Sequence, residues 1–253
     1  MGRLTGKTAL VTGSSRGIGR AVAVRLAEQG ALVAVHYTSN EEAARETVTT
    51  IEKDGGSAFA VRAELGVPGD VDELFGGLAE GLRERTGTSG LSILVNNAAV
   101  KVAGPVEDAT PEDFDRLYAV NVKAPFFLIQ RALPHLSEGG RVINISSGLT
   151  RLGDPSSVTY AMTKGALEQL APHLAKLLGP RGITINTVLP GATRTGAAFW
   201  EDPALVEEIT EMSALKRVGE AGDVADVVTF LASDEARWIT GSSVDATGGS
   251  LVA

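Results

Sequence analysis

The chain has 253 residues, 43 % hydrophobic and 21 % charged, which fits one globular domain with a sizeable core. It has no cysteine, excluding disulfides, thiolate catalysis and cysteine-ligated zinc; its net charge of −8 argues against a nucleic-acid partner. Its three histidines, His36, His135 and His173, are far apart and suggest no metal cluster.

Apolar runs and helix-periodic stretches alternate along the chain. Lys7–Val11 reads as a buried strand, followed by a glycine-rich turn over Thr12–Gly19 (TGSSRGIG) and a helix over 20–29. A strand over 32–36 precedes a helix over 41–53, and a strand over 57–62 precedes a helix over 71–85. A strand over 91–95 leads to a helix over 111–136. A strand over 141–145 leads to the helix bearing Tyr160, and one over 184–188 leads to the segment at Pro190. A helix over 223–232 and a short strand near Val244 complete the series. This alternation predicts an α/β fold: one doubly wound parallel sheet of about seven strands, with helices on both faces, over residues 1–253. The long stretch 190–216, with the apolar pair Phe199–Trp200, reads as a loop placed to act as a substrate lid. No apolar run is long enough to span a membrane and no secretory signal precedes the first strand, so a cytoplasmic location is expected.

Two patterns carry chemistry. Strand, glycine turn and helix in that order form a phosphate cradle, because glycines admit the pyrophosphate and the helix start presents free N–H groups. The spacing Gly13, Gly17, Gly19 departs from the usual dinucleotide fingerprint. Tyr160 and Lys164, four apart on a helix, share a face. A neighbouring ammonium favours the phenolate and is expected to bring the phenol toward its working range.

In these residues the chain resembles the short-chain dehydrogenase/reductases, in the compact branch that includes the 3-oxoacyl-(acyl carrier protein) reductases. The likeness lies in TG-x3-GIG at 12–19, NNAA at 96–99, Asn121, Ser147, Tyr160-x3-Lys164, Pro190–Gly191 and Ile239–Gly241, and covers nearly the whole chain. It implies a Rossmann-type fold. It implies a catalytic set in which Tyr160 exchanges a proton with the substrate oxygen and Ser147 hydrogen-bonds that oxygen, with Ser146 as the alternative. Lys164 would hold the nicotinamide ribose and lower the Tyr160 pKa, and Asn121 would hold a water linking Lys164 to solvent. The cofactor would lie along Gly13, Ser15, Arg16, Gly17, Ile18 and Gly19, then Tyr37, Thr38 and Ser39, then Glu64 and Leu65, then Asn97 and Ala98. It would continue past Tyr160 and Lys164 to Pro190, Gly191, Thr193 and Thr195. Val100, Lys101, Leu149, Arg151 and Leu152 would line the substrate pocket. Ala99, Glu64 and Thr247 replace residues more usual in the family.

Enzymes using NAD commonly place an acid at the end of the second strand. Here Tyr37, Thr38 and Ser39 stand there, and Arg16 is available to a 2′-phosphate, so NADP(H) is the expected cofactor. The resulting expectation is an NADPH-dependent ketone reductase acting on a 3-oxoacyl thioester, a polyketide or a small carbonyl compound. The alternatives are a secondary-alcohol dehydrogenase and an NADP(H)-sensing protein without turnover. Arg131, Arg141, Lys176 and Arg181 are candidates for a basic patch docking an acidic carrier protein. The family's habit implies a homotetramer or homodimer, and Pro172 is expected to kink the helix that would build it.

Overall fold

The computed structural model describes residues 2–196, 200 and 202–252. Numbered in chain order, the first half runs β1 (Thr8–Val11), α1 (Gly17–Glu28), β2 (Leu32–Tyr37), α2 (Glu41–Lys53), β3 (Ser57–Arg62), α3 (Asp70–Thr86) and β4 (Leu91–Asn96). The second half runs α4 (Pro111–Tyr118), α5 (Ala124–Ala132), β5 (Leu136–Ile145), α6 (Val158–Glu168), α7 (Leu170–Leu178), β6 (Thr184–Pro190), β7 (Thr193–Arg194), α8 (Pro203–Met212), β8 (Gly219–Glu220), α9 (Ala221–Ala232) and β9 (Ser243–Ala246).

Seven strands form one parallel sheet in the order β3-β2-β1-β4-β5-β6-β9. The central strands are apolar on both faces, as a sheet covered on both sides requires. Alternate residues serve opposite layers: Ala9, Val11, Val33 and Val35 pack with Val22 and Leu26 of α1 and Val224 and Val228 of α9. Leu10, Ala34, Leu94 and Val142 pack with Leu74 and Leu78 of α3 and Leu128 and Ile129 of α5. This is the doubly wound single domain expected from the alternation, and the Rossmann-type fold that the family resemblance implied. The strand order reverses between β1 and β4, and the crevice above that point is where such sheets take ligands.

Four departures from the sequence reading follow from local chemistry. The helix expected over 111–136 is interrupted by a π-type segment, Ala119–Lys123, and ends at Ala132; β5 begins at Leu136, before its expected start at 141. Gly139 and Gly140 lie within that strand and hid its first half. The Tyr160 helix is broken at Gln169, between α6 and α7, just before Pro172. A proline ring collides with the carbonyl four residues back, here Glu168 at the end of α6. Finally, 190–216 is no plain loop: it contains β7 and α8, the latter capped by the Asp202 side chain accepting from the Ala204 N–H at 3.0 Å.

Candidate active site

The glycine turn after β1 is held by a closed set of hydrogen bonds. Thr12 Oγ1 accepts from the N–H groups of Asn97 and Ala98, each at 2.9 Å. The Asn97 amide donates back to the carbonyls of Thr12 (2.8 Å) and Gly13 (3.1 Å). His36 Nδ1 accepts from the Gly13 N–H at 2.8 Å, so Nε2 carries the proton and donates to Ala63 O at 3.1 Å. Burial pushes the His36 pKa down to about 4, keeping that neutral tautomer in place. Gly13 and Gly17 take positive φ angles of 63° and 56°. A methyl group on Gly19 would sit 2.4 Å from both Asn97 Nδ2 and Gly13 O. The turn is therefore a backbone cradle at the start of α1, suited to a pyrophosphate.

On this turn Ser15 is half-buried and Ile18 packs against the core cluster. Arg16 is exposed, at the N-cap of α1, and makes no ion pair among the described residues. Thr38 and Ser39 are exposed beyond β2, whereas the Tyr37 side chain is buried in the core cluster, so a cofactor contact there would run through its backbone. Asn40 is engaged as the cap of α2. Glu64 is half-buried and Leu65 buried just past β3. The Asn97 amide holds the glycine turn, so any contact it makes to a cofactor runs through its remaining groups. Ala99 is exposed and outside the positive-φ region, so its methyl group adds no backbone strain.

Beyond β6, the chain folds back over the cradle. Thr195 lies against Gly17, about as close as a side chain at that glycine would tolerate, 3.3 Å from its would-be Cβ. Thr193 Oγ1 donates to Gly191 O at 2.9 Å. Gly191 is pressed on Thr247, whose Cα would lie 2.8 Å from an added Cβ, and Thr247 also meets Gly148. Thr247 thus wedges the ends of β5 and β6 together. The Arg194 guanidinium lies 5.6 Å from the Trp200 ring centre; Phe199 lies outside the described residues.

At the carboxyl end of β5 the proton-handling groups gather. Lys164 is fully buried; its ammonium donates to Ile145 O at 2.7 Å and sits 5.7 Å from the Tyr160 ring centre. One bond leaves two ammonium protons for other acceptors. Ser147, two residues beyond Ile145, is half-buried; its Oγ accepts from the Leu149 N–H at 3.2 Å. Ser146, the alternative, is buried and turned the other way, donating to Glu168 Oε1 at 2.8 Å. A second ammonium, Lys101, lies 5.6 Å from the Tyr160 ring centre.

Two expectations change here. Burial outweighs the neighbouring ammonium: the Tyr160 phenol is pushed up to about 12, not down toward neutrality, and Lys164 is pushed down to about 8. The second concerns Asn121 in the π segment. Its amide donates to Val100 O (2.9 Å) and Thr163 Oγ1 (3.1 Å), and its Oδ1 accepts from the Val100 N–H (2.9 Å). Both amide protons are engaged, so this side chain ties α6 to the segment after β4, and any water it holds is held through its oxygen or its backbone. Three of the four basic-patch candidates are engaged within the fold, while Lys176 is exposed. Arg141 is buried on Ser233 O and Asp234, Arg181 holds the carbonyls of Leu133 and Leu136 and pairs with Glu138, and Arg131 pairs with Asp72. Sequence reasoning also missed Glu168 and the pairing of Arg151 with it, since nothing in the linear order links residues 146, 151 and 168.

Among the described residues there is no cluster able to hold a metal, and no helix is long and apolar enough to cross a membrane. A family model described as enoyl-(acyl carrier protein) reductase matches residues 13–250. A solved reductase, LugOII, described as catalysing keto-reduction at C1 in lugdunomycin biosynthesis, is 65 % identical, with 99 % of this chain and 100 % of that one covered and a TM-score of 0.97. The angucycline C-6 ketoreductase LanV, solved with bound NADP, is 59 % identical over 100 % of this chain and 98 % of its own, with a TM-score of 0.97. Versicolorin reductase stcU of Emericella nidulans is 39 % identical over 98 % of this chain and 97 % of its own. The chain belongs to the short-chain dehydrogenase/reductase family.

Proposed function

We propose that this protein is a ketoreductase that uses NADP(H) to reduce a ketone on an aromatic polyketide, with Tyr160 as the proton donor. The observation that carries the reading is full-length similarity to polyketide ketoreductases joined to the Ser147, Tyr160 and Lys164 grouping at the end of β5. The glycine cradle fits the cofactor's pyrophosphate, and exposed Arg16, with no acid at the end of β2, fits its 2′-phosphate. NADPH, when bound, supplies the hydride that reaches the carbonyl carbon.

The chain's own residues do the rest. Tyr160, with its pKa near 12, is fully protonated at neutral pH, which is the form that donates to the oxygen of a ketone being reduced. Ser147 donates a hydrogen bond to the same oxygen as negative charge grows there. Lys164, with two ammonium protons left over from its bond to Ile145 O, would hold the ribose hydroxyls of the bound cofactor, and its charge stabilises the phenolate left on Tyr160. Asn121 keeps α6 in register with Val100, and so positions both groups. The segment 190–216, reaching from Thr195 at the cradle through α8, acts as a lid. The raised pKa of the phenol keeps it in the protonated form that ketone reduction needs and leaves little of the phenolate that alcohol oxidation needs, and the intact Ser-Tyr-Lys set weighs against a sensor without turnover.

A second reading, reduction of a 3-oxoacyl thioester, rests on the motif resemblance to the 3-oxoacyl-(acyl carrier protein) reductases; the matched enoyl-(acyl carrier protein) reductase model shares with it a carrier-bound thioester substrate and not the reduced bond. One assay separates the two: NADPH oxidation against polycyclic aromatic ketones and against β-ketoacyl thioesters. Turnover of the aromatic ketones supports the first reading; turnover of thioesters alone replaces it with the second. Phe126 and Phe127 on α5 and Val158 and Met162 on α6 are exposed apolar residues, and a homotetramer or homodimer built on these helices is our expectation, read by light scattering.

A further inference from the structure

Glu168 ends α6, one turn beyond Lys164, and is only 4 % exposed, yet no chemical step above uses it. Its two carboxylate oxygens are both taken, and by the same stretch of chain. Oε1 accepts from Ser146 Oγ at 2.8 Å, and Oε2 from Arg151 Nη2 at 2.6 Å. Arg151 also donates to Thr150 O and Oγ1. Ser147 lies between the two anchors. The turn that carries it closes on itself, with the Thr150 N–H donating to Ser147 O and the N–H groups of Arg151 and Leu152 to Gly148 O.

We propose that Glu168 is a positioning residue: through Ser146 on one side and Arg151 on the other, it holds the Ser147 turn against the helix that carries Tyr160 and Lys164. The physical reason is that a buried carboxylate must keep its donors. Both donors lie on the Ser147 segment, so that segment cannot drift from α6 without uncovering a charge. The hydroxyl and the phenol must meet one substrate oxygen, and misplacement by about 1 Å costs on the order of a hundredfold in rate. The catalytic consequence rests on the proposed roles of Ser147 and Tyr160; the strap itself does not.

The test pairs hydrogen exchange of residues 148–152 with steady-state kinetics for Glu168→Ala, Arg151→Met, Arg151→Lys and the double variant E168A/R151M. The kinetic arm uses any polycyclic aromatic ketone that the unmodified enzyme reduces. Expected results are faster exchange in 148–152, a roughly ten- to hundredfold fall in kcat with unchanged NADPH affinity, recovery in Arg151→Lys, and a double variant no worse than the worse single one. Arg151 is half exposed, so its variants remain usable if Glu168→Ala does not fold. Unchanged exchange in Arg151→Met would overturn the strap. Faster exchange with kcat intact, or fully additive losses, would overturn its role in positioning Ser147. If the unmodified enzyme reduces none of the ketones, the polyketide reading fails, while the exchange arm still decides whether the strap exists.

Discussion

The glycine turn at β1 and the strand ends at β5 and β6 lie in the same crevice but are finished differently. At the turn, Thr12, Ser14, His36 and Asn97 all find partners within the fold. In the neighbouring strands, by contrast, buried polar atoms have no hydrogen-bond partner among the described residues: Asn96 Oδ1 at the end of β4, Asn144 Nδ2 in β5, Thr187 Oγ1 within β6 and Thr247 Oγ1 just past β9. Lys101, exposed beside Tyr160, makes no ion pair there either. A cradle that must meet the same phosphate groups each time gains from being prebuilt. The region around Tyr160 depends for its order on a few ties, such as Asn121 to Val100 and Glu168 to Arg151.

The contrast breaks most sharply at Tyr160. Tyr160→Phe is expected to lower kcat for ketone reduction by about 10² to 10⁴, with NADPH affinity unchanged by fluorescence titration. Loss of NADPH binding instead would mean that the two regions are not separable. The next effect belongs to the turn. His36 has a folded pKa near 4 against 6.5 unfolded, so the unfolded chain binds the extra proton between those values. Stability is then full above pH about 6.5 and falls by about 3 kcal/mol as pH drops to about 4. Denaturant titrations at pH 7 and pH 4.5 should show this slope in the natural protein and a shallower one in His36→Gln.

Arg16 sharpens the comparison at the edge of the cradle. Arg16→Ala should cut the preference for NADPH over NADH by roughly ten- to a hundredfold, measured as the ratio of kcat/KM for the two. An unchanged ratio would remove the charge argument for the cofactor. The smallest effect is at Lys101. Removing a cation near the phenol disfavours the phenolate, so Lys101→Met should move the acid limb of alcohol oxidation upward by about half a pH unit. That displacement should shrink in high salt, because Lys101 is exposed.

The alternation of apolar strands with amphipathic helices was enough to specify the seven-stranded parallel sheet, because period-2 and period-3.6 patterns are local properties. The same holds for the glycine turn and for Tyr160 with Lys164: one needs consecutive backbone geometry, the other a single helical turn. Tertiary structure alone decided the rest. It put Ser146 on Glu168 and left Ser147 at the rim, assigned the Asn121 amide to Val100, drew Arg141 and Arg181 inward, and reversed the expected direction of the Tyr160 shift. Each of these outcomes depends on burial and on partners 17 or more residues away in the chain, as with Arg151 and Glu168. Desolvation and long-range pairing have no signature in a run of neighbouring residues; they exist only once the layers have closed.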